Sequence, residues 1–212
     1  MAQDVQALRA TLSRAPVIPV IVLDDVEAAR PLAEALVAGG LSVLEVTLRT
    51  PNALRVITEM AKVPGAIVGS GTVRSPLQME QSADHGCQFM VSPGAPPRLL
   101  EAAERFDVPL LPGIGTPTEA MAASEMGYSV LKFFPAEAMG GAPVLKAFAS
   151  PLSDISFCPT GGIDLQKAGE YLALPNVICV GGSWIMPADA IKARDFERIA
   201  ALAREAAALK AA

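Results

Sequence analysis

The chain has 212 residues, 51% of them hydrophobic and 18% charged, with a formal net charge of −5. That length fits one domain, 1–212, with a sizeable buried core, and the hydrophobic content excludes disorder. The acidic balance, with no run of Lys or Arg, argues against a nucleic-acid partner, and the longest apolar run, 16–23, holds two prolines and falls well short of the roughly 18 residues of a membrane span.

The first segment, 4–13, reads as a charged amphipathic helix without the apolar stretch of a signal peptide. Short apolar runs then recur at 17–22, 43–48, 66–69, 88–91, 109–111, 130–134, 155–158 and 177–180, each rich in Val, Ile or Leu and without polar alternation. Strands buried on both faces read this way. Helical stretches separate them, such as 25–38, 77–85 and 116–126, and 196–209 carries an apolar face suited to a last helix. Entry signals accompany them: Asp24 or Asp25, Thr50 before Pro51, Ser75 before Pro76, and Thr116 before Pro117. Eight evenly spaced strand–helix units predict an α/β fold, a (β/α)8 TIM barrel whose extra N-terminal helix could cap the barrel bottom. An open doubly wound sheet is the competing arrangement.

Cys87, Cys158 and Cys179 are widely spaced in apolar surroundings and read as buried, reduced thiols, which with the missing signal segment points to the cytoplasm. His85 is the single histidine, so no histidine metal site and no Ser-His-Asp triad is expected, and no metal or other cofactor is called for. His85 itself reads as a surface residue at a helix end.

Most predicted strands close in Pro or Gly: Gly69-Ser70-Gly71-Thr72, Ser92-Pro93-Gly94, Pro112-Gly113, Phe134-Pro135, Pro159-Thr160-Gly161-Gly162 and Gly181-Gly182-Ser183. Tight turns account for many of these residues. They do not account for Glu45, Arg49, Thr72, Lys132 and Thr160 gathering at the same ends.

Lys132 lies within SVLKFFP, where every neighbour within two positions is apolar. Burial strips water from an ammonium and favours the neutral amine, which can attack a ketone and form a Schiff base. The alternative is a lysine that snorkels or is paired for structural reasons. Glu45, in SVLEVTLR, shares a period-two face with Thr47 and Arg49, while Leu44, Val46 and Leu48 point the other way. A carboxylate facing the barrel interior suits proton shuttling, and Arg49 at the mouth could grip a substrate carboxylate. A structural ion pair of Glu45 with Lys132 or Arg49 is also open. Gly161-Gly162 and Gly181-Gly182-Ser183 follow predicted strands seven and eight, where barrels often bind phosphate on backbone amides. The ligand expected is a small phosphorylated carbonyl compound carrying a carboxylate.

Two stretches, Gly40-LSVL-Glu45-Val46-Thr47-Leu48-Arg49 and Gly127-YSVL-Lys132-Phe133-Phe134-Pro135-Ala136, carry a resemblance to the bacterial 2-keto-3-deoxy-6-phosphogluconate (KDPG) and 4-hydroxy-2-oxoglutarate (KHG) aldolases. PVIPVIV, GSGTV, SPG, PLLPGI, CPTGGI and GGSW are similar to that family in order and spacing, so the resemblance covers nearly the whole chain. It implies a metal-free class I aldolase, typically a homotrimer, acting on a phosphorylated keto acid. By position it implies that Lys132 is the Schiff-base lysine and Glu45 the acid/base, and that Arg49, Thr72, Pro93, Phe134 and Thr160 line the keto-acid pocket. Gly161, Gly162, Gly181, Gly182 and Ser183 would take the phosphate. Ser70 and Met139 depart from the family pattern, which more often has Ala and Asn there. Two rivals are a phosphosugar barrel enzyme without imine chemistry, which needs no buried lysine, and a non-catalytic phospho-ligand sensor.

Overall fold

The structure, a computed structural model, describes residues 4–209. Its strands are all parallel and follow one another around a ring. β1 (Val17–Ile21) pairs with β2 (Val43–Thr47), β2 with β3 (Ile67–Gly71), and β3 with β4 (Phe89–Val91). β5 comes in two pieces, Leu110–Leu111 against β4 and Gly113–Ile114 against β6 (Val130–Phe133). The break falls at Pro112, which has no amide to give to the ladder. β6 pairs with β7 (Ser156–Pro159), and β8 (Val180–Gly182) pairs with β1. Bridges from Phe157 to Val177 and from Thr160 to Gly181 join β7 to β8 and close the ring. This is the (β/α)8 barrel that the spacing predicts, not the open sheet.

Helices follow the strands in turn: α2 (Ala29–Ala38), α3 (Ala53–Met60), α4 (Pro76–Asp84), α5 (Pro97–Ala103), α6 (Pro117–Glu125), α7 (Ala142–Phe148) and α8 (Leu165–Leu172). A short α9 (Ala188–Ala193) and a long α10 (Phe196–Ala207) follow β8, and α1 (Val5–Leu12) precedes β1. Strand alternation splits the core in two. Leu44, Val46, Val68, Met90, Leu131, Phe133 and Phe157 join the layer between strands and helices. Ile18, Val43, Phe89, Val91, Leu111, Val130, Cys158 and Cys179 fill the inside, where Leu8 and Leu12 of α1 pack against them. The extra N-terminal helix therefore serves as a plug, tied further by Arg9, which donates to Ser156 Oγ at 2.8 Å.

Local details depart from the sequence expectation in three places. The helix expected over 25–38 begins as one 3-10 turn (Val26–Ala28), capped by Asp25, before α2 starts. Pro31 offers no amide to the Glu27 carbonyl, so the α ladder cannot run back through that turn. Thr50 does not cap α3: its hydroxyl donates to Leu23 O, and the residue before α3 is Asn52, whose amide donates to Asp24 Oδ1. Strand eight starts at Val180 rather than 177, because the Val177 amide turns back onto Leu174 O. Gly181 and Gly182 consequently belong to the strand, opposite Ile18 and Pro19, instead of to the loop after it. Ser75 and Thr116 do cap their helices, Thr116 in a reciprocal box with Glu119. No helix among the described residues is long and apolar enough to cross a membrane.

Candidate active site

β2 and β6 stand on opposite sides of the ring, and each sends one ionisable side chain inward. Lys132 Nζ donates to Glu45 Oε1 at 3.1 Å and to Oε2 at 3.4 Å. Both side chains are about 95% shielded, with 5% and 4% of their surface exposed. Of the partners open to Glu45 on sequence, the structure selects Lys132. Arg49 instead gives its Nε to Thr72 Oγ1 at 3.1 Å, and the Thr47 hydroxyl donates to Ile21 O. The ring of Phe134, two residues beyond Lys132 on the same face, lies 5.5 Å from the ammonium, close enough for cation–π attraction.

Space for the pair is made by glycine. A Cβ on Gly71, across the ladder on β3, would overlap the Glu45 carboxylate. We expect Gly71→Ala to push that carboxylate off Nζ, costing about 1–3 kcal/mol of stability and most of the turnover. Urea unfolding and a cleavage assay on the same preparation would check both. Full activity in Gly71→Ala would show that the Glu45 position is not critical.

A cavity of about 170 Å3 opens next to the pair across the Phe134 ring, though neither Lys132 nor Glu45 is on its walls. Of the residues singled out from the sequence, Arg49, Phe134, Thr160, Gly161, Gly162, Gly181 and Ser183 line it. Thr72 reaches it only through Arg49, while Pro93 and Gly182 are not on its walls: Pro93 sets its backbone against Gly113, and Gly182 lies under the Trp184 ring. Val20, Val22 and Ile163 complete the lining and were not foreseen, since apolar residues at a strand end look like core. Val22 nevertheless is 53% exposed. A wider cavity of about 410 Å3 shares Val20, Val22 and Ser183 and continues to Met186, Ile191 and Lys192.

Three features at the smaller cavity and its rim suit a polar ligand. Thr160 Oγ1 is buried and has no hydrogen-bond partner, which is costly unless something else supplies one. Thr72 holds φ of 60°, a left-handed conformation that is strained for a β-branched residue, while its hydroxyl accepts from Arg49. Gly161 and Gly162 also have positive φ, 108° and 77°, and among the described residues the amides of Gly162 and Ile163 donate to no acceptor in the chain. A run of free amides of this kind forms an anion-binding concavity.

The remaining candidates lie elsewhere. The Cys87, Cys158 and Cys179 thiols are free and buried, and burial pushes the Cys87 thiol up to about 11. His85 caps the end of α4, half-buried, with Nδ1 at 2.7 Å from Gln81 O. Of the two departures from the family pattern, Ser70 is buried beside Cys87, and Met139 is 39% exposed with its methyl group near Gly115. Among the described residues no group of three or more His, Cys, Asp or Glu is arranged to hold a metal ion.

A family model described as KDPG and KHG aldolase matches residues 8–202. The KHG/KDPG aldolase of Escherichia coli (strain K12) is 53% identical over 196 residues, which are 92% of each chain. The crystal structure of the 2-keto-3-deoxy-6-phosphogluconate aldolase of Zymomonas mobilis ZM4 with 3-phosphoglycerate superposes with a TM-score of 0.93 at 47% identity, covering 99% of this chain and 97% of that one. The KDPG aldolase of Legionella pneumophila, with pyruvate captured as a covalent carbinolamine intermediate, gives a TM-score of 0.92 at 46% identity over 94% of this chain and 98% of that one. With a family model matching residues 8–202 and relatives of about 50% identity over 92% of the chain, the chain belongs to the KDPG and KHG aldolase family.

Proposed function

We propose that this protein is a class I aldolase that reversibly cleaves 2-keto-3-deoxy-6-phosphogluconate to pyruvate and glyceraldehyde 3-phosphate, and that it also splits 4-hydroxy-2-oxoglutarate to pyruvate and glyoxylate. The observation that carries the reading is the buried Lys132–Glu45 pair, 3.1 Å apart, beside a cavity lined by free backbone amides. An amine and a carboxylate in this contact can exchange a proton without either leaving its place.

The steps follow from that contact. Glu45 takes a proton from the Lys132 ammonium, and the neutral amine adds to the ketone carbon of the substrate to give a carbinolamine. Glu45 returns a proton to the departing hydroxyl, water leaves, and a protonated imine forms. The carboxylate, directly or through water, then takes the proton of the hydroxyl two carbons from the imine carbon. The carbon–carbon bond breaks, its electron pair moves into the imine, and glyceraldehyde 3-phosphate leaves an enamine behind. Protonation of the enamine carbon and addition of water release pyruvate and restore the amine.

Around this centre Arg49, aligned by Thr72, and the unpartnered hydroxyl of Thr160 hold the keto-acid carboxylate, with Phe134 shaping the pocket and Pro93 off its walls, its backbone against Gly113. Gly161, Gly162, Gly181 and Ser183 form the phosphate end, with Gly182 off the wall beneath the Trp184 ring. Membership of the family supports a homotrimer, and the reduced buried thiols support a cytoplasmic setting.

Incubation with pyruvate and borohydride, followed by peptide mass spectrometry, is expected to leave a reduced pyruvyl adduct on Lys132 alone. No adduct on folded protein would overturn the imine mechanism; an adduct on another lysine would overturn the assignment.

A further inference from the structure

Resting on the functional reading above, we infer that Glu137, held by Tyr171 and Lys167, is a positioning residue that sets the Gly161–Gly162 loop for the substrate phosphate. Its own segment is laced to that loop past the ends of β6 and β7. The Ala136 amide donates to Thr160 O at 2.8 Å, and the Glu137 amide donates to Gly161 O at 3.1 Å. The stem of Glu137 then lies directly on Gly162, where an added Cβ would sit 2.8 Å from Glu137 Cβ and 2.9 Å from Cγ. From the far side, α8 presents two residues one turn apart. Tyr171 donates its hydroxyl to Glu137 Oε1 at 2.6 Å, and Lys167 Nζ lies 2.7 Å from Oε2. Lys167 also reaches Gly162 O at 3.5 Å.

The geometry of a planar trans peptide gives this arrangement its consequence. In each peptide unit the carbonyl and the following amide point in opposite directions. Gly161 O is held by Glu137 and Gly162 O by Lys167, so the amides of Gly162 and Ile163 turn the other way. Those are the amides without an acceptor in the chain, and both residues line the cavity. A lone carboxylate this close would repel a phosphate, but Lys167 neutralises it, and Lys167 and the Tyr171 hydroxyl hold the Glu137 carboxyl below the usual carboxylate range.

An exposed salt bridge contributes little on its own. Tyr171 separates this cluster from that case, because it is 1% exposed and its hydroxyl finds its acceptor in Glu137. None of the three side chains touches the keto-acid end. The test is therefore a comparison of substrates with and without phosphate, using Glu137→Ala, Glu137→Gln and Tyr171→Phe in the full chain. For the phosphorylated keto acid we expect Glu137→Ala to raise KM about tenfold, with kcat within about twofold, as misaimed amides lose charge-assisted contacts. For 4-hydroxy-2-oxoglutarate, which has no phosphate, kcat/KM is expected to stay within about twofold. The two size-conserving variants should shift KM in the same direction by less, and they carry the comparison if Glu137→Ala does not fold. Equal losses on both substrates, or no change on either, would overturn the inference. The pyruvate adduct on Lys132 is read in the same variants: its persistence keeps the imine reading while the phosphate result decides this one, and its absence from the unaltered protein brings down both.

Discussion

Lys132→Met is expected to lower the rate of aldol cleavage by on the order of 10^5-fold or more, to background, because without the amine no imine forms to receive the electrons of the breaking bond. The same change should also destabilise the fold. Glu45 would remain in a site where only 4% of its side chain meets solvent, with no ammonium beside it. Removing one partner of a buried pair costs about 3–5 kcal/mol, far more than an exposed pair would show. Adding Glu45→Leu to Lys132→Met should return most of that stability, since replacing both charges by apolar groups is often neutral or stabilising, while activity stays at background. Urea midpoints and borohydride trapping on the single and double variants separate the two roles. A single variant as stable as the unaltered protein would mean that Glu45 finds water once Lys132 is gone. A single variant that still cleaves substrate would remove Lys132 from the chemistry.

The barrel was legible because its evidence is repetitive: each unit repeats an apolar run, a Pro or Gly stop and a capped helix, so an error in one unit leaves the pattern standing. The errors that did occur lie where tertiary partners override local signals. Thr50 carries a good cap signature, yet Leu23 O competes for its hydroxyl, and the amide of Asn52 is taken by Asp24. Val177 is a good strand residue, but register with β1 begins only at Val180. At the site, the apolar neighbours of Lys132 point to burial but leave a snorkelling lysine open, and only the structure, with 4% of the residue exposed, decides for burial. The sequence cannot show which of Lys132 and Arg49 answers Glu45, since side chains of strands two and six face each other across the interior only when the ring closes. The Glu137–Tyr171–Lys167 cluster is invisible for a similar reason. Glu137 and Tyr171 are 34 residues apart, and each alone reads as an ordinary surface acid and a helix aromatic.

Glu45→Gln is the sharper test of mechanism, because it keeps the shape of the side chain and a hydrogen bond to Lys132 is still possible through the amide oxygen. What it removes is the ability to take and return protons at a point 3.1 Å from the reacting nitrogen. We expect kcat for cleavage to fall about 10^2- to 10^4-fold, the usual contribution of a positioned acid–base group. The loss should not be uniform along the pathway. Imine formation with pyruvate can draw protons from water, so the borohydride adduct on Lys132 should still accumulate, more slowly. Exchange of the pyruvate methyl hydrogens with deuterated water requires proton removal from carbon in the bound imine, and it should fall nearly as far as cleavage. If exchange persists at the original rate while cleavage is lost, Glu45 serves only the hydroxyl side of the bond and another group handles the enamine carbon. If trapping is abolished along with both, the carboxylate is needed already to free the amine, and the proton it takes first, from the Lys132 ammonium, is the one that controls the reaction.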